Sequence, residues 1–85
     1  MASEFQKIVR AELIAARAKH PGKQHSLHEG YAVLLEEVDE LWSEVRLKKE
    51  LRSKTAVLME LVQIAAMAQM TAEDMGFVEP ETFTE

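Results

Sequence analysis

Residues 31–45 read YAVLLEEVDELWSEV, and the spacing of their apolar side chains decides the fold. Tyr31, Leu34, Leu35, Val38, Leu41, Trp42 and Val45 follow one another at intervals of 3, 1, 3, 3, 1 and 3. At about 100° per residue all seven fall within roughly 60° of Val38, so the stretch is an amphipathic helix whose stripe is expected to face a core. On the same wheel Glu37 and Glu44 lie roughly 100–120° to one side, Glu40 about 160° round on that side, and Glu36 beyond it. The acids form a flank beside the stripe, and Asp39 points elsewhere.

Helix ends are legible on both sides of this stretch. Ser26 with Glu29, and Ser3 with Gln6, have the capping-box spacing, in which the serine accepts from a free backbone N–H and the third helical residue reaches back. They mark two helix starts. His20, Pro21 and Gly22 combine a breaker with a permissive residue, so the first helix is expected to end near Lys19 and a loop to run from about 20 to 25. A third helix is expected from around Ser53 to Thr55 as far as Met75, with Gly76 as its C-terminal cap. No proline or glycine separates it from the second, so residues 46–54 are either a tight turn or part of a continuous bent helix.

The expectation is an all-α chain of three helices forming an antiparallel bundle. Residues 1–76 make one domain, and 77–85 a frayed tail from which Phe77 and Val78 are free to pack down. A chain of 85 residues buries a modest fraction of its surface, so the bundle is expected to be completed by self-association into a homodimer or homotetramer. With no cysteine, neither disulfides nor a thiolate metal site supplies stability, and the chain reads as cytoplasmic. The start, MASEFQKIVR, has no apolar run, and the most apolar segment contains Glu60, Gln63 and Gln69, so neither a signal peptide nor a membrane span is expected.

The net charge of -5 is distributed in blocks. Residues 1–28 carry five bases and two acids, 29–45 six acids and no base, 46–54 five bases and one acid, and from 55 onward six acids face no base. An acidic chain with one short basic segment is a poor nucleic-acid binder. It suits a metal-bridged polyphosphate better, with acids holding cations and bases meeting phosphate oxygens.

Residues 56–70, AVLMELVQIAAMAQM, are apolar almost all round, which predicts a helix central to the bundle and a Glu60 that is at least partly buried. A buried carboxylate must be protonated, paired with a base such as Arg10, Arg17 or Lys54, or bound to metal. Gln63 follows one turn later on the same face.

These residues resemble the MazG-like, all-α nucleoside triphosphate pyrophosphohydrolases. That family's pattern is Glu-Glu-x-x-Glu on one helix, a variable gap, and Glu-x-x-Asp on the next. Glu36, Glu37 and Glu40 match the first part, and Glu60 with Gln63 matches the second except that Gln63 replaces the aspartate. The similarity extends over roughly residues 5–75. It implies Mg²⁺-dependent hydrolysis (Mn²⁺ as a substitute) between the α and β phosphates of a nucleoside triphosphate, giving a monophosphate and pyrophosphate. By the resemblance Glu37, Glu40 and Glu60 are metal ligands, Gln63 fills the fourth ligand position, and Glu36 is a further ligand or orients water beside Glu37. Gln63 removes one negative charge from such a site.

Blander readings accompany each feature. Taken alone, the acidic flank is more often a solvated helix face than a metal site, and its coupling to Glu60 is what favours the metal. Lys48, Lys49, Arg52 and Lys54 either contact substrate phosphate or, with Arg46, complement the dipole of the second helix. Tyr31 and Trp42 are expected to pack in the core, the five methionines to fill core or interface, and His25 and His28 to bind no zinc. The alternatives to an enzyme are a helical oligomerisation or interaction module with a degenerate metal site, and a phosphate-binding regulator using residues 46–54.

Overall fold

The structure is a computed structural model and describes residues 1–82. Among these residues there are three α-helices and no strand: α1, Glu4–Lys19; α2, Leu27–Val45; and α3, Lys54–Asp74. A turn through residues 46–48 and a 3-10 turn, Lys49–Leu51, separate α2 from α3, so the basic segment breaks the helix.

The serines act as the spacing predicts. Ser3 makes both arms of a capping box: its Oγ accepts from the Gln6 N–H at 3.1 Å, and its own N–H donates to Gln6 Oε1 at 2.8 Å. Ser26 Oγ accepts from the Glu29 N–H at 3.1 Å, while the Glu29 carboxylate reaches back one residue further, to the His25 N–H. Ser53 caps α3 through the Ala56 N–H at 3.1 Å. Each such cap is worth about 1 kcal/mol. Past α3, Gly76 takes φ +75°, the left-handed backbone that closes a helix and that glycine adopts without strain.

The two outer helices each pack on α3 and not on one another. The core is mainly an α1–α3 seam of Val9, Leu13, Val62, Ala66, Met67 and Met70, flanked by Ile8, Ala16 and Ala65. From α2 only Val33 and Leu34 pack against it. By length and composition α3 is apolar enough to cross a membrane, with mean hydropathy 1.3; in this fold it is the helix against which both neighbours pack. Its C-terminal half is the buried part, whereas Leu58, Met59 and Leu61 are exposed.

Most of the apolar stripe of α2 does not face the core: of its seven residues only Leu34 and Leu41 turn inward. Tyr31, Leu35, Val38, Trp42 and Val45 are all exposed, and the residues turned inward are Gly30, Val33, Leu34, Glu37, Leu41 and Glu44. The inward set is centred about 90° round the helix from the stripe. Its cause lies at Gly30, where a β-carbon would stand 2.6 Å from Thr71 Cγ2 and 2.8 Å from Thr71 Oγ1. The missing side chain lets the backbone of α2 approach α3 there, and that approach turns the acidic flank inward.

A polar network ties the ends together. Arg17 pairs with Glu73 Oε1 and Asp74 Oδ1, each at 2.9 Å, and both carboxylates are buried. Asp74 Oδ2 accepts from the Gln24 N–H at 3.0 Å, and the Thr71 hydroxyl donates to Gln24 Oε1 at 2.9 Å, which fixes the α1–α2 loop. Burial by itself would raise the Glu73 pKa, but hydrogen bonds from Gln69, the Glu81 N–H and Arg17 outweigh it and hold the carboxyl below its ordinary range. The segment after Gly76 is fastened rather than frayed as far as Glu81, whose carboxylate accepts from Gln69 at 2.9 Å and pairs with Arg10. Phe77 and Val78 stay exposed, and the rest of the expected tail, residues 83–85, lies outside the described residues.

Candidate metal centre

Rotating α2 by a quarter turn has a chemical consequence. Glu37 and Glu40, three residues apart on adjacent turns, are carried to the α3 side, where Glu60 meets them. The register follows from the Gly30–Thr71 contact: Glu40 lies about 15 Å along α2 from Gly30, and Glu60 about 16.5 Å along α3 from Thr71. One carboxylate oxygen from each of Glu37, Glu40 and Glu60 lies within 4.8 Å of the others.

Two of these groups are electrostatically uncomfortable. Glu37 Oε2 and Glu60 Oε2 are buried and have no hydrogen-bond partner. Burial, then the negative Glu40 and more weakly Glu60 and Glu36, push the Glu37 carboxyl up to about 7. Glu60 is raised by burial first, then by Glu40 and Glu44. Two of the three bases that were candidates to neutralise Glu60 are engaged elsewhere, Arg17 with Glu73 and Asp74 and Arg10 with Glu81, and among the described residues no ion pair joins Lys54 to Glu60. Protons or a cation are what such a cluster lacks.

The donor set fits a hard divalent ion. Oxygens around Mg²⁺ sit at about 2.1 Å from the metal and so roughly 3 to 4.2 Å from each other, against the 4.8 Å within which these three lie. Three carboxylates leave positions for water and phosphate oxygens.

Gln63 is placed with Glu37 on the wall of a cavity of about 590 Å³ between α1, the α1–α2 loop, α2 and α3. Val33, Met67 and Met70 give it an apolar side, and Lys19 and Lys23 stand at its edge. Glu36 is exposed and outside the three-carboxylate cluster, though its charge is felt at Glu37. Lys48, Lys49, Arg52 and Lys54 do not line this cavity, and Arg52 donates to the Leu47 carbonyl at 3.1 Å, closing the turn after α2. The residues that sequence reasoning passed over are Lys19 and Lys23, whose one signal is that they flank the His20-Pro21-Gly22 break, and Glu44, whose charge bears on Glu60.

The chain matches no protein-family model, no curated protein and no solved structure, so a functional reading rests on the residues themselves.

Proposed function

We propose that this chain is a MazG-like nucleoside triphosphate pyrophosphohydrolase that uses Mg²⁺, or Mn²⁺ in its place, to cleave between the α and β phosphates. The observation that carries the reading is the meeting of Glu37 and Glu40 from α2 with Glu60 from α3, two of them with buried, unpartnered oxygens. Glu37, Glu40 and Glu60 would hold the ion, with the Gln63 carbonyl as a neutral donor beside Glu37. A bound divalent ion supplies charge stabilisation at phosphoryl oxygens and acidifies water. Glu36, exposed on α2 outside the three-carboxylate cluster, would orient a water for attack on the α phosphorus. The P–O bond to the β phosphate breaks, and pyrophosphate leaves.

The adjoining cavity falls within the usual size range of small-molecule sites, and its apolar side suits a nucleoside while Lys19 and Lys23 meet phosphate. An antiparallel arrangement of the helices, completed by dimerisation or higher association, belongs to the same proposal; it is supported by Gly30 lying against Thr71 while Glu40 lies beside Glu60. So does a cytoplasmic setting, where nucleotide and Mg²⁺ are abundant, with a role in clearing surplus or non-standard nucleotides.

The test is pyrophosphate release from a panel of NTPs and dNTPs with Mg²⁺ or Mn²⁺. Glu40→Gln and Glu60→Gln should each lower the rate by at least about 100-fold. Activity undiminished in both variants removes this site from the chemistry. One observation favours a second reading, a metal-stabilised interaction module without catalysis: Gln63 stands where the family pattern has an acid. Metal-dependent stabilisation with no pyrophosphate released from any nucleotide would select it.

A further inference from the structure

We propose that the cavity between the start of α1 and the middle of α3 is a binding site for a small carboxylic acid with an apolar body, and that Glu81, from the segment after α3, is its displaceable resident occupant. This inference is independent of the catalytic reading. No residue of α2 lines the cavity, and neither Glu60 nor Gln63 does.

The contacts of Glu81 identify the ligand chemistry. Its Oε2 accepts from Arg10 Nε at 2.9 Å and from Arg10 Nη2, and its Oε1 accepts from Gln69 Nε2 at 2.9 Å. Three N–H donors from two helices therefore converge on one carboxylate. Two of them belong to a guanidinium, whose bonds to a carboxylate are about twice as strong as those between neutral groups. Hydrogen bonds from Gln69 and Arg10 hold the Glu81 carboxyl below its ordinary range. The donors are built into α1 and α3, whereas the acceptor comes from outside the helices, so the receptor keeps its place when the segment leaves.

The segment is lightly held. Of residues 76–82 only Glu81 is half-buried, and Phe77 and Val78 turn their apolar side chains to solvent. The N–H groups of Gly76 and Phe77 finish the cap of α3, and beyond them the Glu81 N–H donates to Glu73 Oε2 at 3.0 Å. Past the helix cap the segment thus hangs on one residue. The Arg10 side chain is 51 % accessible, and an ion pair so open to water binds weakly.

The cavity has room beyond the carboxylate. Its volume is about 420 Å³, within the usual range for small-molecule sites, and its apolar wall is made by Phe5, Val9 and Ala65. Phe77 and Val78 do not line it, and Phe5 is 40 % accessible. A free carboxylic acid with an apolar body would make the bonds to Arg10 and Gln69 that Glu81 makes, and would cover the Phe5 ring as well. Glu81 competes through its tether, which gives a linked group an effective concentration on the order of millimolar.

Octanoate, kept below its micellar concentration, is a suitable probe, followed by calorimetry and by the backbone amide shifts of Phe5, Ala65 and Gln69. Glu81→Ala, in an otherwise exposed segment, should keep its helical circular dichroism and bind octanoate at least about tenfold more tightly than the wild type does. Adding Arg10→Gln should lose at least about tenfold. Acetate, a carboxylate without the body, should bind Glu81→Ala at least about tenfold more weakly than octanoate. The one tryptophan, Trp42, is exposed on α2, away from this cavity, so its emission should stay constant through the titration. Equal affinities of the wild type and Glu81→Ala overturn the proposal. So does an Arg10→Gln variant that binds as before, an acetate affinity equal to that of octanoate, or a Trp42 response that places the ligand on α2.

Discussion

Gly30 and Thr71 approach so closely that a β-carbon on Gly30 would lie 2.6 Å from Thr71 Cγ2, and this contact determines which face of α2 meets α3. The turn-by-turn consequence is that Glu37, seven residues on, faces inward, while Tyr31, Leu35, Val38, Trp42 and Val45 face out. Fold and candidate site therefore depend on the same small residue.

Gly30→Ala is the first prediction. In an unconstrained helix this change stabilises by about 1 kcal/mol. Here the methyl group must push Thr71 or Gln24 aside, so a net loss of about 1–3 kcal/mol is expected, seen as a melting temperature lower by several degrees. Adding Thr71→Ala removes the two closest contacts, leaving only the flexible Gln24 side chain to move, and should recover part of that loss. A Gly30→Ala variant as stable as the wild type would show that α2 is not docked at this point.

The carboxylate cluster makes stability depend on pH and metal together. Burial and Glu40 hold the Glu37 carboxyl at about 7 against an ordinary 4.5, and Glu60 is displaced in the same direction. The native chain thus binds protons that the unfolded chain has released. Stability from this source is fully present below about pH 4.5 and is lost as pH rises through about 7. In EDTA the melting temperature should fall between about pH 5.5 and pH 8. Mg²⁺ or Mn²⁺ should restore it at pH 8 and do little at pH 5.5, where protons already occupy the site. Equal metal responses at the two pH values would rule out coordination by these groups.

Much of this was legible in the sequence, and the failures share a cause. Ser3, Ser26 and Gly76 announce helix ends because capping is local chemistry within a few residues. Glu37, Glu40 and Glu60 could be singled out by helical spacing and by the oddity of an acid in an apolar helix. What spacing does not reveal is the partner of each face. The stripe from Tyr31 to Val45 looks like core because periodicity registers an apolar surface without saying whether α3 or another molecule covers it. The tie from Arg10 to Glu81, 71 residues apart, and the burial of Glu73 and Asp74 beside Arg17 leave no local pattern at all.

Gln63 offers a test with two opposite readouts. It borders the same cavity as Glu37. Gln63→Asp adds a fourth negative charge, so divalent-metal affinity should rise by about tenfold or more by calorimetry. Without metal the same substitution should lower the melting temperature at pH 8, because it adds repulsion to a cluster already short of positive charge. Tighter metal binding with no loss of metal-free stability would place Gln63 apart from the other carboxylates.

Arg17 separates the structural carboxylates from the candidate site. Its guanidinium reaches Glu73 and Asp74, whose side chains are only 3 % and 2 % accessible. Arg17→Met keeps much of the apolar stem but leaves two buried acids without their base, an omission expected to cost about 3–5 kcal/mol. The pH dependence identifies the cause. In the wild type the Glu73 pKa is lowered, so its contribution is present above the unfolded value of about 4.5 and is lost as pH falls through the lower native value. Without Arg17 the balance of hydrogen bonding against burial shifts toward the protonated form. The variant's deficit should then be largest near neutral pH and shrink toward pH 5, and Glu73→Gln added to Arg17→Met should recover part of it. A deficit of the same size at both pH values would assign the role of Arg17 to the packing of its stem.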